Sequence, residues 1–348
     1  MEMCGGGIWG VAPGQVTANT ELAMCLAQSL AEAPEPLGDS LLEDLAVRYG
    51  KWGKSLPFHS ERACSLAFAK PLPAADMAQR AKELNAKNTG SGALVRCAPI
   101  AAWGVIRGDP NLAAAFAHED ARLSHPNPVL GHASAAVVVL IANLATSGGD
   151  RTAALEAVQR WAQEEHNQIV SHSAVDGGGD RRGGWQHLSR GSQQRVQERP
   201  GEQQEWAPPG EALAALDELV GWLKRALADD GELTFSCSTA GALLHHEVGS
   251  AEIPLMHAIR HLKSGSSFET AMRATLAGGG DSTTIAAVVG AVLGAAVGLE
   301  GIPERWLRAV LTCDIGNGQF RPPEYHPARF SGLLEEMRSR AASLRPAA

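Results

Sequence analysis

Residues 127–144 read NPVLGHASAAVVVLIANL. Asn127 is a good helix cap, and Pro128 suits a first helical turn, where its missing N–H costs nothing. The residues that follow are almost wholly apolar and run too long for a strand. A helix with no polar face must be covered on all sides, which makes this the expected central element. Outward from it, helical periodicity continues. Leu112–Leu123 precedes it, and Arg151–Ile169 follows the Gly148-Gly149 break. Thr20–Glu32, Asp39–Ser55 and Ala74–Leu84 read as helices nearer the N-terminus. Glu211–Ala228, Thr239–Val248, Ile253–Lys263, Ser267–Leu276, Ser282–Leu299, Pro303–Leu311 and Phe330–Leu344 follow. Aromatics make up 5% of the chain, and Val, Ile and Thr form no alternating runs. The reading is an all-α protein of a dozen or so helices, with no internal repeat.

One stretch breaks the pattern. Residues 173–210 cluster Gly, Gln, Arg, Glu and Pro, and bury too little apolar surface to offset the entropy of ordering. They read as a disordered, low-complexity insertion within one domain spanning 1–348. The formal charge is −8 with no basic stripe, which argues against nucleic acid and anionic membranes as partners. Cys4, Cys25, Cys64, Cys97, Cys237 and Cys313 show no Cys-x-x-Cys spacing and read as reduced core residues of a cytoplasmic protein. The N-terminus has no signal-peptide pattern. The longest apolar stretches, Ala133–Ala145 and Ile285–Leu299, fall short of a membrane span. Gly290, Gly294 and Gly298 in the second suggest a small face that another helix approaches closely.

Four segments carry candidate chemistry. Gly5-Gly6-Gly7-Ile8-Trp9-Gly10 matches G-x-G-x-x-G literally, but no strand precedes it, so it reads as a surface loop. Asn88-Thr89-Gly90-Ser91-Gly92-Ala93 precedes a helix-compatible run, and is either an anion cradle or a plain glycine turn. Asp281, in Gly278-Gly279-Gly280-Asp281-Ser282-Thr283-Thr284, is either an N-cap or a metal ligand with Thr284 one turn away. The oxygens of Thr17-Ala18-Asn19-Thr20-Glu21 likewise either cap a helix or reach a cation. His125, just before the central helix, is a single histidine without ligand-spaced partners.

Together several segments resemble the ADP-ribosylglycohydrolase family, which includes dinitrogenase-reductase-activating glycohydrolases and J-crystallins. They are Cys4–Gly7 through Pro13–Thr17, Glu21–Leu26, Gly90–Pro99, Leu123–His125, Gly279–Asp281 and Gly298–Trp306. Their order and spacing fit over most of the chain outside 173–210. The resemblance implies a single orthogonally packed helical domain with a cleft for ADP-ribose. It implies hydrolysis of the bond joining ADP-ribose to a protein or small-molecule acceptor, beside two Mg²⁺. Gly90, Ser91, Gly92, Ala93 and His125 would then bind substrate. Thr17, Asn19, Asp281 and Thr284 would be metal ligands, and Asp281 would also be catalytic. A monomer is expected.

The departures are as informative. The first metal motif is typically Thr-Asp-Asp-Thr and here reads Thr17-Ala18-Asn19-Thr20. The second is typically Asp-Thr-Asp-Thr and here carries Thr283 at the second acidic position, followed by Thr284. The resemblance implies that family members complete a helix and a Gly-Asp-rich turn before this point; an N-terminal part of the usual site is therefore expected to be missing here, by truncation or because the sequence is partial. Two divalent ions about 4 Å apart repel by roughly 17 kcal/mol at an effective dielectric near 20. One carboxylate and a few neutral oxygens cannot offset that. At most one weakly held Mg²⁺ is expected, and with it a weakened hydrolase. The alternatives are an inactive ADP-ribose binder or a crystallin-like structural protein.

Overall fold

A computed structural model of the chain describes residues 2–32, 39–175, 207–228, 249–317 and 320–343. Among them lie fourteen α-helices, and the extended pairings are isolated bridges at Gly6–Val11 and Gly90–Ser250. The fold is all-α, as its periodicity indicates.

The central helix is α7 (Pro128–Thr146), capped by the Asn127 side chain, which accepts from the Val129 N–H at 3.2 Å. Its residues from Pro128 to Ala142 are buried without a break. It packs against α5 (Ala98–Arg107), α6 (Pro110–Arg122), α8 (Arg151–Val175), α9 (Pro209–Ala228) and α12 (Ser282–Val297). Ser134 and Asn143 turn their polar groups onto the carbonyls of Leu130 and Val139, which lets them sit inside an apolar shell. At 19 residues this helix is long and apolar enough to cross a bilayer by length and composition, longer than the stretch expected from sequence. Its apolar window is 83% buried inside the fold.

A second layer forms around α1 (Ala18–Glu32), which packs on α2 (Asp39–Lys54), α5 and α14 (Phe330–Ser343). The short α3 (Arg62–Ala67) and α4 (Ala74–Asn85) pair with each other. On the far side, α10 (Glu252–Lys263) and α11 (Phe268–Ala277) cover α12, and α13 (Glu304–Leu311) precedes the C-terminal segment. One continuous apolar cluster joins α1 through α14.

Most expected helices form within a residue or two of their expected ends. The differences have local causes. Helices α3 and α5 were not separately expected: α3 has six residues, too few for a period to register, and α5 hides behind Pro99. Helix α8 runs on to Val175, three residues into the expected insertion, and α9 begins at Pro209. The rest of that insertion, and the expected helix Thr239–Val248, lie outside the described residues. Gly290 and Gly294 do face α11, but a Cβ at either would meet Phe268 or Met272 at 3.7–4.0 Å, an ordinary contact. The α11–α12 packing therefore does not require glycine there.

Candidate functional site

The Asn88–Ala93 segment runs beside residues 249–251. Ala251 N–H donates to the Thr89 carbonyl at 2.9 Å, and the Ser91 hydroxyl donates to the Gly249 carbonyl at 3.5 Å. It feeds a 3-10 turn, Leu94–Arg96, on which both α1 and α12 pack. The glycine loop and the helices bearing the two motifs thus gather around one element.

The anion seated at the loop belongs to the chain itself. Glu61 occupies the N-cap position of α3 but makes no capping bond to it. Its carboxylate lies instead against Gly90 and Gly92, where a Cβ at either position would overlap it. Gly92 is doubly constrained, because its Cβ would also meet the Cys64 sulfur and the His125 ring, each at 2.9 Å. The Gly90 N–H is taken by the Asn88 side chain at 2.7 Å. Burial opposes ionisation of Glu61, but His125, the Gly92 amide and Arg96 outweigh it and hold the carboxyl below its ordinary value.

His125 is fully buried and bridges Glu61 to a deeper network. Its Nε2 lies 3.0 Å from Glu61 Oε2 and its Nδ1 2.7 Å from the Ser124 hydroxyl. Ser124 Oγ must accept from Arg96 Nη1 at 2.9 Å, because a guanidinium only donates. Its own proton is then free for Nδ1, and in the neutral form of His125 this arrangement places the ring proton on Nε2, donating to Glu61. Arg96 is itself buried. It donates from Nε to Asp120 Oδ2 at 2.8 Å, from Nη2 to the Asp120 carbonyl at 2.7 Å, and from Nη1 to the Gly92 carbonyl at 3.1 Å. Tyr49 closes the chain by donating to Asp120 Oδ1 at 2.7 Å. Burial opposes Arg96's charge, but Asp120 more than restores it. Cys64 lies beside this network, and burial, with the Glu61 charge adding to it, pushes its thiol up to about 12.

The motif residues sit more plainly. Thr17 precedes α1, and its carbonyl accepts the Glu21 N–H at 3.1 Å. Asn19 is half-buried in the first turn. Asp281 is the N-cap of α12. Its Oδ1 accepts from the Thr284 N–H at 3.4 Å and the Thr283 hydroxyl at 3.0 Å. No hydrogen bond joins Thr17 or Asn19 to Asp281 or Thr284. Glu21 cannot replace a lost motif carboxylate. It is buried, and Arg321 and the Trp52 indole N–H saturate its oxygens. The Gly5–Gly10 run is a bridged turn, Gly6 N–H to the Val11 carbonyl at 2.7 Å, rather than a nucleotide loop.

Sequence reading missed Glu61, Cys64, Arg96, Asp120 and Arg321 as members of these networks. Glu61 and Cys64 do stand one helical turn apart, but such pairs are common without a ligand. No spacing links either to His125, which arrives from the α6–α7 junction.

An all-α fold with a glycine loop between two motif-bearing helices defines the class. The ADP-ribosylglycohydrolase family profile matches residues 1–324, and the chain belongs to that family. Its fold is similar to that of a solved chain described as an ADP-ribosylglycohydrolase-related protein complex. The TM-score is 0.55 at 22% identity, covering 98% of this chain and 87% of that one. No curated protein sequence matches.

Proposed function

We propose that this chain recognises ADP-ribose and hydrolyses ADP-ribosyl glycosidic bonds slowly, as a cytoplasmic monomer with at most one Mg²⁺. The observation that supports this is the convergence of α1, α12 and the glycine loop on the Leu94–Arg96 turn. The donor set fits one ion and not two. Thr17, Asn19 and Thr284 bring neutral oxygens, and Asp281 brings the one carboxylate. Mg²⁺ tolerates one or two carboxylates when phosphates and waters complete its shell.

When bound, Mg²⁺ would polarise the ribose region and lower the pKa of a bound water. The chain's own residues do the rest. Gly90–Ala93 and His125 would position the substrate, with ligand oxygens using loop groups not already taken by Asn88 and Glu61. Asp281 would hold the attacking water's proton as the glycosidic bond gains oxocarbenium character. Its capping bonds to Thr283 and Thr284 orient it but also compete for Oδ1.

A second reading, an ADP-ribose binder without turnover, is favoured by Asp281's existing hydrogen bonds and by Glu21's commitment to Arg321. Release of ADP-ribose from an ADP-ribosylated protein in excess Mg²⁺ separates the two. Slow release that vanishes in Asp281→Ala supports hydrolysis. Calorimetric binding of ADP-ribose without release supports the binder. Neither binding nor release leaves the fold serving a structural role.

A further inference from the structure

Among the described residues, acidic, histidine and cysteine side chains converge in one place, at Glu61, Cys64 and His125. We propose that these three form a binding site for a borderline-soft divalent cation, Zn²⁺ or a metal like it. The proposal goes beyond the ADP-ribose reading and does not depend on it.

The geometry comes first. One carboxylate oxygen, one imidazole nitrogen and one sulfur lie within 4.8 Å of one another. Ligands of a tetrahedral Zn²⁺ stand roughly 3.3–3.8 Å apart, so a small contraction completes the set. The three arrive from separate places, the cap of α3, its body and the α6–α7 junction, and each is held by its own backbone. Mixed sulfur, nitrogen and oxygen donors suit zinc, whereas Mg²⁺ demands oxygens. Three protein ligands leave a fourth position, and the Glu61 side chain is 29% exposed, which gives an ion a route in.

An orphaned atom points the same way. Glu61 Oε1 is buried and has no hydrogen-bond partner, an arrangement that costs about 1–3 kcal/mol or more for a charged group. A cation between Glu61, Cys64 and His125 would face Oε2, the oxygen 3.0 Å from His125, and would satisfy Oε1 by holding the carboxylate bidentately.

The charges balance as well. A Glu61 carboxylate and a Cys64 thiolate neutralise a divalent ion. Arg96, a cation beside the cluster, is already matched by Asp120 at 2.8 Å. The surroundings are those a zinc site needs. On binding, the His125 proton moves from Nε2 to Nδ1 and is accepted by Ser124 Oγ. Ser124 lies within hydrogen-bonding reach of Cys64 and can donate its proton to the thiolate, and the Arg96 guanidinium, with Nη1 3.8 Å from the sulfur, places a positive charge beside it. One proton, that of the thiol, is released per ion, since coordination deprotonates a thiol outright.

The test uses the full chain, stripped with a chelator and free of nucleotide, titrated with Co²⁺ and then Zn²⁺. One saturable equivalent is expected, with a near-ultraviolet thiolate-to-cobalt band that Zn²⁺ abolishes. Cys64→Ser should remove the band, and Glu61→Gln should weaken binding at least about tenfold. Cys4→Ser and Cys313→Ser should leave both unchanged. Circular dichroism confirms that each variant folds, and His125→Gln replaces any that does not. Absence of saturable binding, a band that survives Cys64→Ser, or undiminished affinity in Glu61→Gln overturns the proposal. Because ADP-ribose is absent throughout, failure here leaves the hydrolase reading untouched.

Discussion

The guanidinium of Arg321 meets the carboxylate of Glu21 edge to edge, Nε to Oε1 at 2.7 Å and Nη2 to Oε2 at 2.8 Å, although 300 residues separate them in the chain. Both are buried to about 1% exposure. Removing one partner strands the other's charge, so Arg321→Met should cost about 3–5 kcal/mol. Replacing both with apolar residues should recover much of that. Urea unfolding of the two variants checks it, and a single-variant loss under about 1 kcal/mol would contradict a buried, saturated pair.

Tyr49→Phe removes one hydroxyl from the Asp120–Arg96 network and leaves Asp120 Oδ1 without that donor. A loss of about 1–3 kcal/mol is expected. The aromatic stack of Tyr49 on Phe68, with centroids 4.5 Å apart, is kept by the substitution, so the effect isolates the hydrogen bond. Thermal unfolding with near-ultraviolet circular dichroism reports it.

Two glycine-to-alanine changes should move in opposite directions. Gly92→Ala drives a methyl into Glu61 and His125 and should cost about 1–3 kcal/mol, with loss of ADP-ribose affinity. Gly290→Ala meets ordinary contacts inside α12 and should stabilise by about 0.5–1 kcal/mol. Parallel unfolding curves decide; destabilisation of equal size at both would refute the steric distinction.

Glu165, on α8 beside Trp161, has its carboxyl raised from 4.5 to about 7 by burial, with the Glu164 charge adding to it. A raised folded-state value means that the folded protein resists ionisation. Stability should therefore fall as pH rises from about 4.5 to about 7, then stay at the lower level with respect to this group. Glu165→Gln should match the parent below pH 4.5 and exceed it above pH 7. Melting temperatures across that range test the sign.

Much of the fold was legible because helix signals are local. Pro128, the apolar run after it and the Gly148-Gly149 break mark the ends of α7 from sequence alone. Asp281 could be read as a cap because the residues it bonds lie two and three positions on. The glycine loop could be read from sequence as an anion cradle or a plain turn, but nothing local pointed to the Glu61 carboxylate that lies against it. Glu61 reaches it from a different helix, in place of capping its own. Arg321 was invisible for the same reason, since nothing in Phe320–Pro323 points to a partner at Glu21. Local spacing reports on caps and faces; burial of a charge reports only on the finished tertiary structure.

The C-terminal segment has a bearing on how the molecule is made. Arg321 bonds Glu21, the Glu324 carbonyl accepts from Gln28, and α14 packs on α1. A ribosome releases α1 long before it releases any of these. During synthesis Glu21 has the Trp52 indole to bond but lacks the Arg321 countercharge until the last segment emerges. The buried pair that ties the two ends of the chain together is therefore among the last contacts the emerging protein can make.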